Sequence, residues 1–181
     1  MNEIRKLDSK GVDRFLPELA DLLRDAVQHG ASVGFLPPLG MSEALGYWLE
    51  VRAAVADGSR IALVALRSGT LAGTVQLELC RKANGKNRAE LQKLLVHSDA
   101  RRSGIASALL AEAEAQAMAL KRGLVYLDTE AGSGAEGFYR ACGYTRLGEL
   151  PDYCCDTTGH WRATAIWFKQ LFVPQPLAVA A

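Results

Sequence analysis

Cysteine, histidine and excess charge are all scarce in this chain. It has 181 residues and 4 cysteines, Cys80, Cys142, Cys154 and Cys155. None forms a Cys-x-x-Cys, and the adjacent Cys154-Cys155 is poorly placed for an ordinary disulfide or a zinc site. Reduced thiols in a cytoplasmic protein are the simplest reading. The 3 histidines, His29, His97 and His160, show no metal-ligand spacing, so no metal is expected. No apolar run is long enough to span a bilayer. The start, Met1-Asn2-Glu3-Ile4-Arg5-Lys6, lacks the apolar stretch of a secretory signal, and no membrane partner is expected. With 21 Lys+Arg against 20 Asp+Glu, the net charge of +1 provides no field for nucleic acid. Internal repeats, low-complexity tracts and interdomain linkers are absent too.

What is present suits one globular domain over residues 1–172, followed by a loose tail over 173–181 that carries Pro174 and Pro176. Glu3 to Leu7 reads as a strand. Val12 to His29 has Phe15, Leu16, Leu19, Leu22, Leu23 and Val27 at helical spacing, with Pro17 near its start. Gly30 to Pro38 is an apolar loop of the kind that lines a pocket, and Ser42 to Ala56 is a second helix. Two strands, Arg60 to Leu66 and Thr70 to Cys80, meet across Ser68-Gly69 as a hairpin. Ala89 to Val96 is a fourth strand, and a helix runs from Gly104 to about Lys121. Leu124 to Asp128 is a buried strand, and Ser133 to Cys142 a short helix with Ser133 as its N-cap. Tyr144 to Leu147 and Thr164 to Lys169 close the chain as strands. Hairpins first and βα alternation later predict a mixed α/β sheet with helices on its faces.

The stretch Arg101-Arg102-Ser103-Gly104-Ile105-Ala106 joins the fourth strand to a helix start. The first N–H groups of a helix lack intrahelical partners, and the dipole there favours an anion. Gly104 lets the backbone approach a ligand, and two arginines add charge. The expected ligand is a phosphate or pyrophosphate. The stretch is neither a Walker loop, which needs Gly-Lys-Ser/Thr, nor the three-glycine dinucleotide fingerprint.

Val96, then Arg101-x-x-Gly104-x-Ala106, then Phe138-Tyr139-x-x-x-Gly143-Tyr144 resemble the GNAT N-acetyltransferase superfamily. Within it, the tabtoxin-resistance acetyltransferases are the nearer likeness. That likeness rests on Gly30 to Phe35, Asn84 to Glu90, Leu127 to Ser133 and Gly148 to Pro151. The resemblance implies a central, mostly antiparallel sheet of about six to seven strands with helices on both faces. It implies acetyl-CoA as co-substrate and a small amino-acid-like amine as acceptor, possible toxin or antibiotic chemistry included.

Residue roles follow from the resemblance together with the chemistry that acetyl transfer needs. The amides of Arg101, Arg102, Ser103, Gly104, Ile105, Ala106 and Ser107 grip the pyrophosphate. The strand edge at Leu94, Leu95 and Val96 pairs with the pantetheine arm, and the Leu94 N–H polarises the thioester carbonyl. Tyr139 is the general acid; Glu90 and Asp128 hold the ammonium or take its proton, with Glu130 a weaker candidate. Ser32, Val33, Phe35 and Tyr153 contact the substrate, and Arg81 or Arg88 could meet a carboxylate on it. Trp48 and Trp161 are read as core. Two positions depart from the family pattern. Ser98 stands where proline is frequent, which alters turn rigidity. Gly132 stands where an asparagine often touches the cofactor arm. An exposed edge strand near the C-terminus offers a homodimer contact. The competing functions are a protein N-terminal or lysine acetyltransferase and a non-catalytic acyl-CoA sensor.

Overall fold

The computed structural model describes residues 2–176. The predicted tail over 173–181 falls largely outside them. In chain order the elements are β1 (Asn2–Leu7), α1 (Ser9–Arg14), α2 (Leu16–Gln28), α3 (Met41–Ala56), β2 (Arg60–Arg67), β3 (Thr70–Leu79), β4 (Arg88–Val96), α4 (Ile105–Ala119), β5 (Leu124–Glu130), α5 (Gly134–Ala141), β6 (Thr145–Cys155) and β7 (Trp161–Gln170). The strands form one sheet in the order β1-β2-β3-β4-β5-β7-β6. Every neighbouring pair is antiparallel except β4 and β5. This is the mixed, mostly antiparallel sheet expected. Among the described residues, no helix is long and apolar enough to cross a membrane.

The first predicted helix is two. The Asp8 carboxylate accepts from the Gly11 N–H at 2.7 Å and caps α1, which ends at Arg14. Pro17 has no N–H, and its ring conflicts with the carbonyl four residues back, so the chain breaks at Phe15 and restarts as α2. The last strands also differ from expectation. β6 runs to Cys155 rather than Leu147, through two register irregularities, and β7 inserts between β5 and β6. None of β6 is buried, whereas Thr164, Ala165 and Trp167 of β7 are. The apolar strand takes the covered place and the polar one the edge.

Two apolar layers sandwich the sheet. Ile61, Leu63 and Ala65 of β2 face the layer under α4 and α5, and Ala62, Val64 and Leu66 face the layer under α1, α2 and α3. With both faces covered, β2 reads as a continuous apolar run. Trp48 is fully buried, as expected, but Trp161 is 64% exposed and is not core. Gly73 marks a tight approach of β3 to β4 and α4. A Cβ there would lie 2.8 Å from the Leu95 carbonyl oxygen and 2.9 Å from Ile105 Cγ2.

β4 carries the irregularity that shapes the site. Thr74 pairs with Leu95 and Gln76 with Gln92, so Lys93 and Leu94 together stand opposite Val75. This is a β-bulge, with Lys93 in the left-handed region at φ 50°. One extra residue reverses the facing of everything beyond it. Ala89 and Leu91 pack in the α4 layer, yet Leu95, of the same parity, packs under α2 and α3.

Candidate active site

β4 and β5 are paired only at Arg88–Leu124, Ala89–Val125 and Glu90–Tyr126. Beyond Glu90 the two strands diverge, although β4 continues to Val96 and β5 to Glu130. The wedge between them is a cavity of about 430 Å³. It brings together most of the predicted side chains: Ser32, Val33, Glu90, Leu94, Leu95, Asp128, Tyr139 and Tyr153, with Glu130 also at its wall. Phe35 is not among them. Its ring packs edge-on against Tyr47, 5.4 Å between centroids, and joins the α1–α3 layer. The apolar loop therefore offers Ser32 and Val33 to the cavity and anchors itself through Phe35.

The acidic wall is held by neutral donors. Glu90 accepts from Gln92 Nε2 at 2.9 Å and from the Tyr126 hydroxyl at 3.0 Å. Asp128 accepts from the Thr164 hydroxyl at 3.0 Å. The Asp128 charge reaches three neighbours, raising the hydroxyl pKa values of Tyr139 and Tyr153 and opposing the depression at Lys93. At Tyr126, burial and then the Glu90 charge push the hydroxyl up to about 12, so it remains a donor to Glu90.

Tyr139 enters from the opposite face of the sheet, on α5. It is 8% exposed and packed between Phe138 and Tyr144. Burial, with the Asp128 charge second, holds its pKa well above the ordinary phenol value. α5 is set by Glu136, which accepts the Gly132 N–H at 2.8 Å, Arg146 Nε at 2.9 Å and Trp167 Nε1 at 3.2 Å. Ser133 occupies the N-cap position as expected, but its side chain makes no capping bond and its hydroxyl is buried without a partner. Over the other rim, Ser32 Oγ lies 3.3 Å from Cys154 Sγ, which ties the loop before α3 to β6.

Sequence reasoning missed Lys93. Its side chain is half-buried, lines the cavity, and places Nζ 5.5 Å from the centre of the Tyr47 ring. Burial, then the Arg60 charge, lowers its pKa. The one available signal was local: Lys93 interrupts the in–out alternation of Ala89, Glu90, Leu91 and Gln92. The arginines considered for a substrate carboxylate lie elsewhere. Arg81 pairs with Asp57 at 3.0 Å, and neither Arg81 nor Arg88 lines the cavity.

The anion loop adjoins the far end of β4. Arg101, Arg102, Ser103, Gly104 and Ser107 are exposed, Ala106 is half-buried, and Ile105 is buried in the α4 layer. Arg102 at φ 59° and Gly104 at φ 80° turn the chain so that Gly104 becomes the N-cap of α4, with no side chain over the helix end. The first intrahelical bond at this end is Ala108 N–H to Gly104 O, so the amides of Ile105, Ala106 and Ser107 precede the ladder. Val96, Arg101 to Ser107, the half-buried Leu94 and the buried Leu95 thus form a strand edge leading to an open helix N-terminus. These features fit a pyrophosphate on an extended arm. Ser98 does more than loosen a turn. Its N–H and hydroxyl both donate to Asp25, at 2.8 and 2.7 Å, and fasten the loop to α2. Burial alone would raise the Asp25 pKa, but the two Ser98 bonds and the nearby His97 and His29 bring it below the ordinary value.

Known proteins share this architecture. A ribosomal-protein-alanine N-acetyltransferase from Brucella melitensis is similar at 26% identity, with a TM-score of 0.75, over 93% of this chain and 99% of that one. An N-acetyltransferase from Staphylococcus aureus Mu50 matches at 18% identity and TM-score 0.76, over 95% and 99% of the two chains. The yncA protein of Salmonella typhimurium, solved with its cofactor acetyl-CoA, matches at 16% identity and TM-score 0.78, over 99% of both chains. The model of the acetyltransferase (GNAT) family matches residues 22–144, from α2 through the anion loop to the end of the Phe138–Tyr144 element. With that match across most of its length, the chain belongs to the GNAT acetyltransferase family.

Proposed function

We propose that this chain is an acetyl-CoA-dependent N-acetyltransferase whose acceptor is the amine of a small, amino-acid-like molecule. Acetyl-CoA supplies the acyl group as a thioester. The chain's own residues must hold it, gather the amine, and manage two protons. The amides at the start of α4 and the side chains of Arg101 and Arg102 hold the pyrophosphate. The β4 edge at Leu94, Leu95 and Val96 holds the arm, and the Leu94 N–H stabilises charge on the reacting carbonyl oxygen. Glu90 and Asp128 draw the ammonium into the wedge and receive its proton. Tyr139 Oη, kept protonated by burial, donates to the departing sulfur.

The observation that carries the reading is the wedge itself. A carboxylate pair on one wall and a buried phenol on the other share a cavity of about 430 Å³, with the Ser32–Cys154 contact at its rim. That size suits a small amine, although the Brucella melitensis relative favours a polypeptide substrate by its name. The likeness to tabtoxin-resistance acetyltransferases supports a toxin or antibiotic as the amine. A pure acyl-CoA sensor would have no use for the Glu90, Asp128 and Tyr139 arrangement. For a homodimer, β6 is the edge a second copy would meet, with Leu147 72% exposed on it.

The test is acetyl-CoA-dependent thiol release across free amino acids, tabtoxinine-β-lactam, polyamines, aminoglycosides and short peptides. Turnover concentrated on amino-acid-like amines is the expected result. Turnover confined to peptides would replace this reading with the polypeptide one.

A further inference from the structure

We propose that Lys93 is the specificity residue of the wedge, receiving an anionic group, in the first instance a carboxylate, carried by the same substrate whose amine Glu90 and Asp128 gather. The inference deepens the proposed function and rests on it. It turns "small amine" into a zwitterion recognised at both ends.

Lys93 is the one cation among the described residues that line the cavity. The neighbouring Arg60 is already committed, donating to Gln76 at 3.0 Å and to Glu78 at 2.6 Å. Lys93 makes no ion pair among the described residues and rests instead over the face of Tyr47. A half-buried ammonium with only an aromatic face beside it is under-solvated and has donors to spare. Burial and the Arg60 charge disfavour its charged form, while Asp128 and Glu90 act the other way. An incoming carboxylate would relieve that deficit with a charge-assisted bond.

The backbone has been bent to place this side chain. Lys93 holds φ 50° in the middle of a strand, a conformation a residue with a Cβ rarely adopts. Such strain collects at ligand sites, and bulges beside them re-aim side chains. Without the extra residue, β4 would keep its simple alternation and the wedge wall would hold no cation. The arrangement is therefore one ammonium on β4 facing the cavity that Glu90 and Asp128 also face. A diamine or an aminoglycoside would bring a positive charge to Lys93 and be repelled. A peptide N-terminus would bring a neutral amide.

Matched pairs separate these cases: lysine, ornithine and glutamine against their C-terminal carboxamides, assayed by thiol release on the full chain. The wild type is expected to favour the acid in kcat/KM by about 10- to 100-fold, the scale of one charge-assisted hydrogen bond. In Lys93→Met the acid-to-amide ratio should fall by the same factor, mostly through KM, and Lys93→Arg should restore part of it. Comparing the ratio between variants cancels the intrinsic difference in amine basicity. Met meets the same backbone penalty at φ 50° as Lys, so the fold is spared a new strain, and an unshifted Tm checks this. A ratio near one in the wild type, or one preserved in Lys93→Met, overturns the role of Lys93 while the small-amine reading stands. Silence toward every small amine overturns both.

Discussion

Tyr139 shows what one residue does at two levels. Its ring fills the layer between Phe138 and Tyr144, and its hydroxyl opens on the wedge. Tyr139→Phe keeps the ring and removes the proton. Turnover should fall by about 10²-fold, the usual scale for a lost general acid, with acetyl-CoA affinity by calorimetry nearly unchanged. Because burial raises this hydroxyl's pKa, the phenol stays protonated as the pH climbs to ~10 and beyond. A decline of kcat in the Tyr139 enzyme below pH ~9 would therefore have to come from another group, and Tyr139→Phe should retain that same limb. At this scale the meeting of Tyr139, Glu90, Asp128 and Leu94 around one cavity was legible, since each sits on a strand or helix that the sequence already marks. Lys93 was not, because its direction depends on a bulge. Phe35 was misplaced because the loop lines the cavity only from Gly30 to Gly34, and the ring beyond them found Tyr47.

Among the elements, β4 and the loop after it matter most. The loop's position depends on α2, more than 70 residues earlier in the chain, through the Ser98–Asp25 bonds. Ser98→Ala removes the hydroxyl bond to a carboxylate. It should cost about 1–2 kcal/mol in denaturant unfolding at pH 7 and weaken acetyl-CoA binding more than it slows saturated turnover. The Asp25 pKa is depressed on folding, so its contribution is present above the unfolded value of ~3.9 and is lost as pH falls through the folded value. The deficit of Ser98→Ala should accordingly shrink in acid, and an equal deficit at pH 7 and pH 3 would remove the tether from the account. Periodicity located α2, α3 and α4 because each buries a regular face, and β2 was read from its continuous apolar run. It failed at β6, an edge strand with no buried residue and hence no alternation to read.

The whole molecule is closed by its last strand. β7 sits between β5 and β6 and brings Lys169 beneath α4, where Nζ meets both Glu114 oxygens at 2.9 and 2.8 Å and the Cys142 carbonyl at 3.0 Å. Three N–H donors thus meet three acceptors. The side chains are only 27% and 15% exposed, so breaking the pair strands a carboxylate. Lys169→Met should lower stability by about 2 kcal/mol, or Tm by about 4–8 °C for a chain of this size. The Glu114→Leu, Lys169→Met double variant should recover most of that loss, because no unpaired charge remains. A single variant as stable as wild type would show the pair to be incidental.

The amino-acid order by itself pointed to the acetyltransferase family, because Arg101-x-x-Gly104-x-Ala106 and Phe138-Tyr139-x-x-x-Gly143-Tyr144 are local patterns that can be read without any distant contact. The order of elements determined the sheet class for the same reason. Tertiary structure alone decided how the candidate substrate side is assembled. Glu90 and Asp128 lie on strands that are neighbours only because α4 carries the chain from one to the other, and Tyr139 reaches them from the opposite face. The cation that joins them is placed by a single inserted residue. A bulge changes the facing of a strand without changing its composition, so a break in alternation can flag Lys93 but only the paired register shows which way it faces.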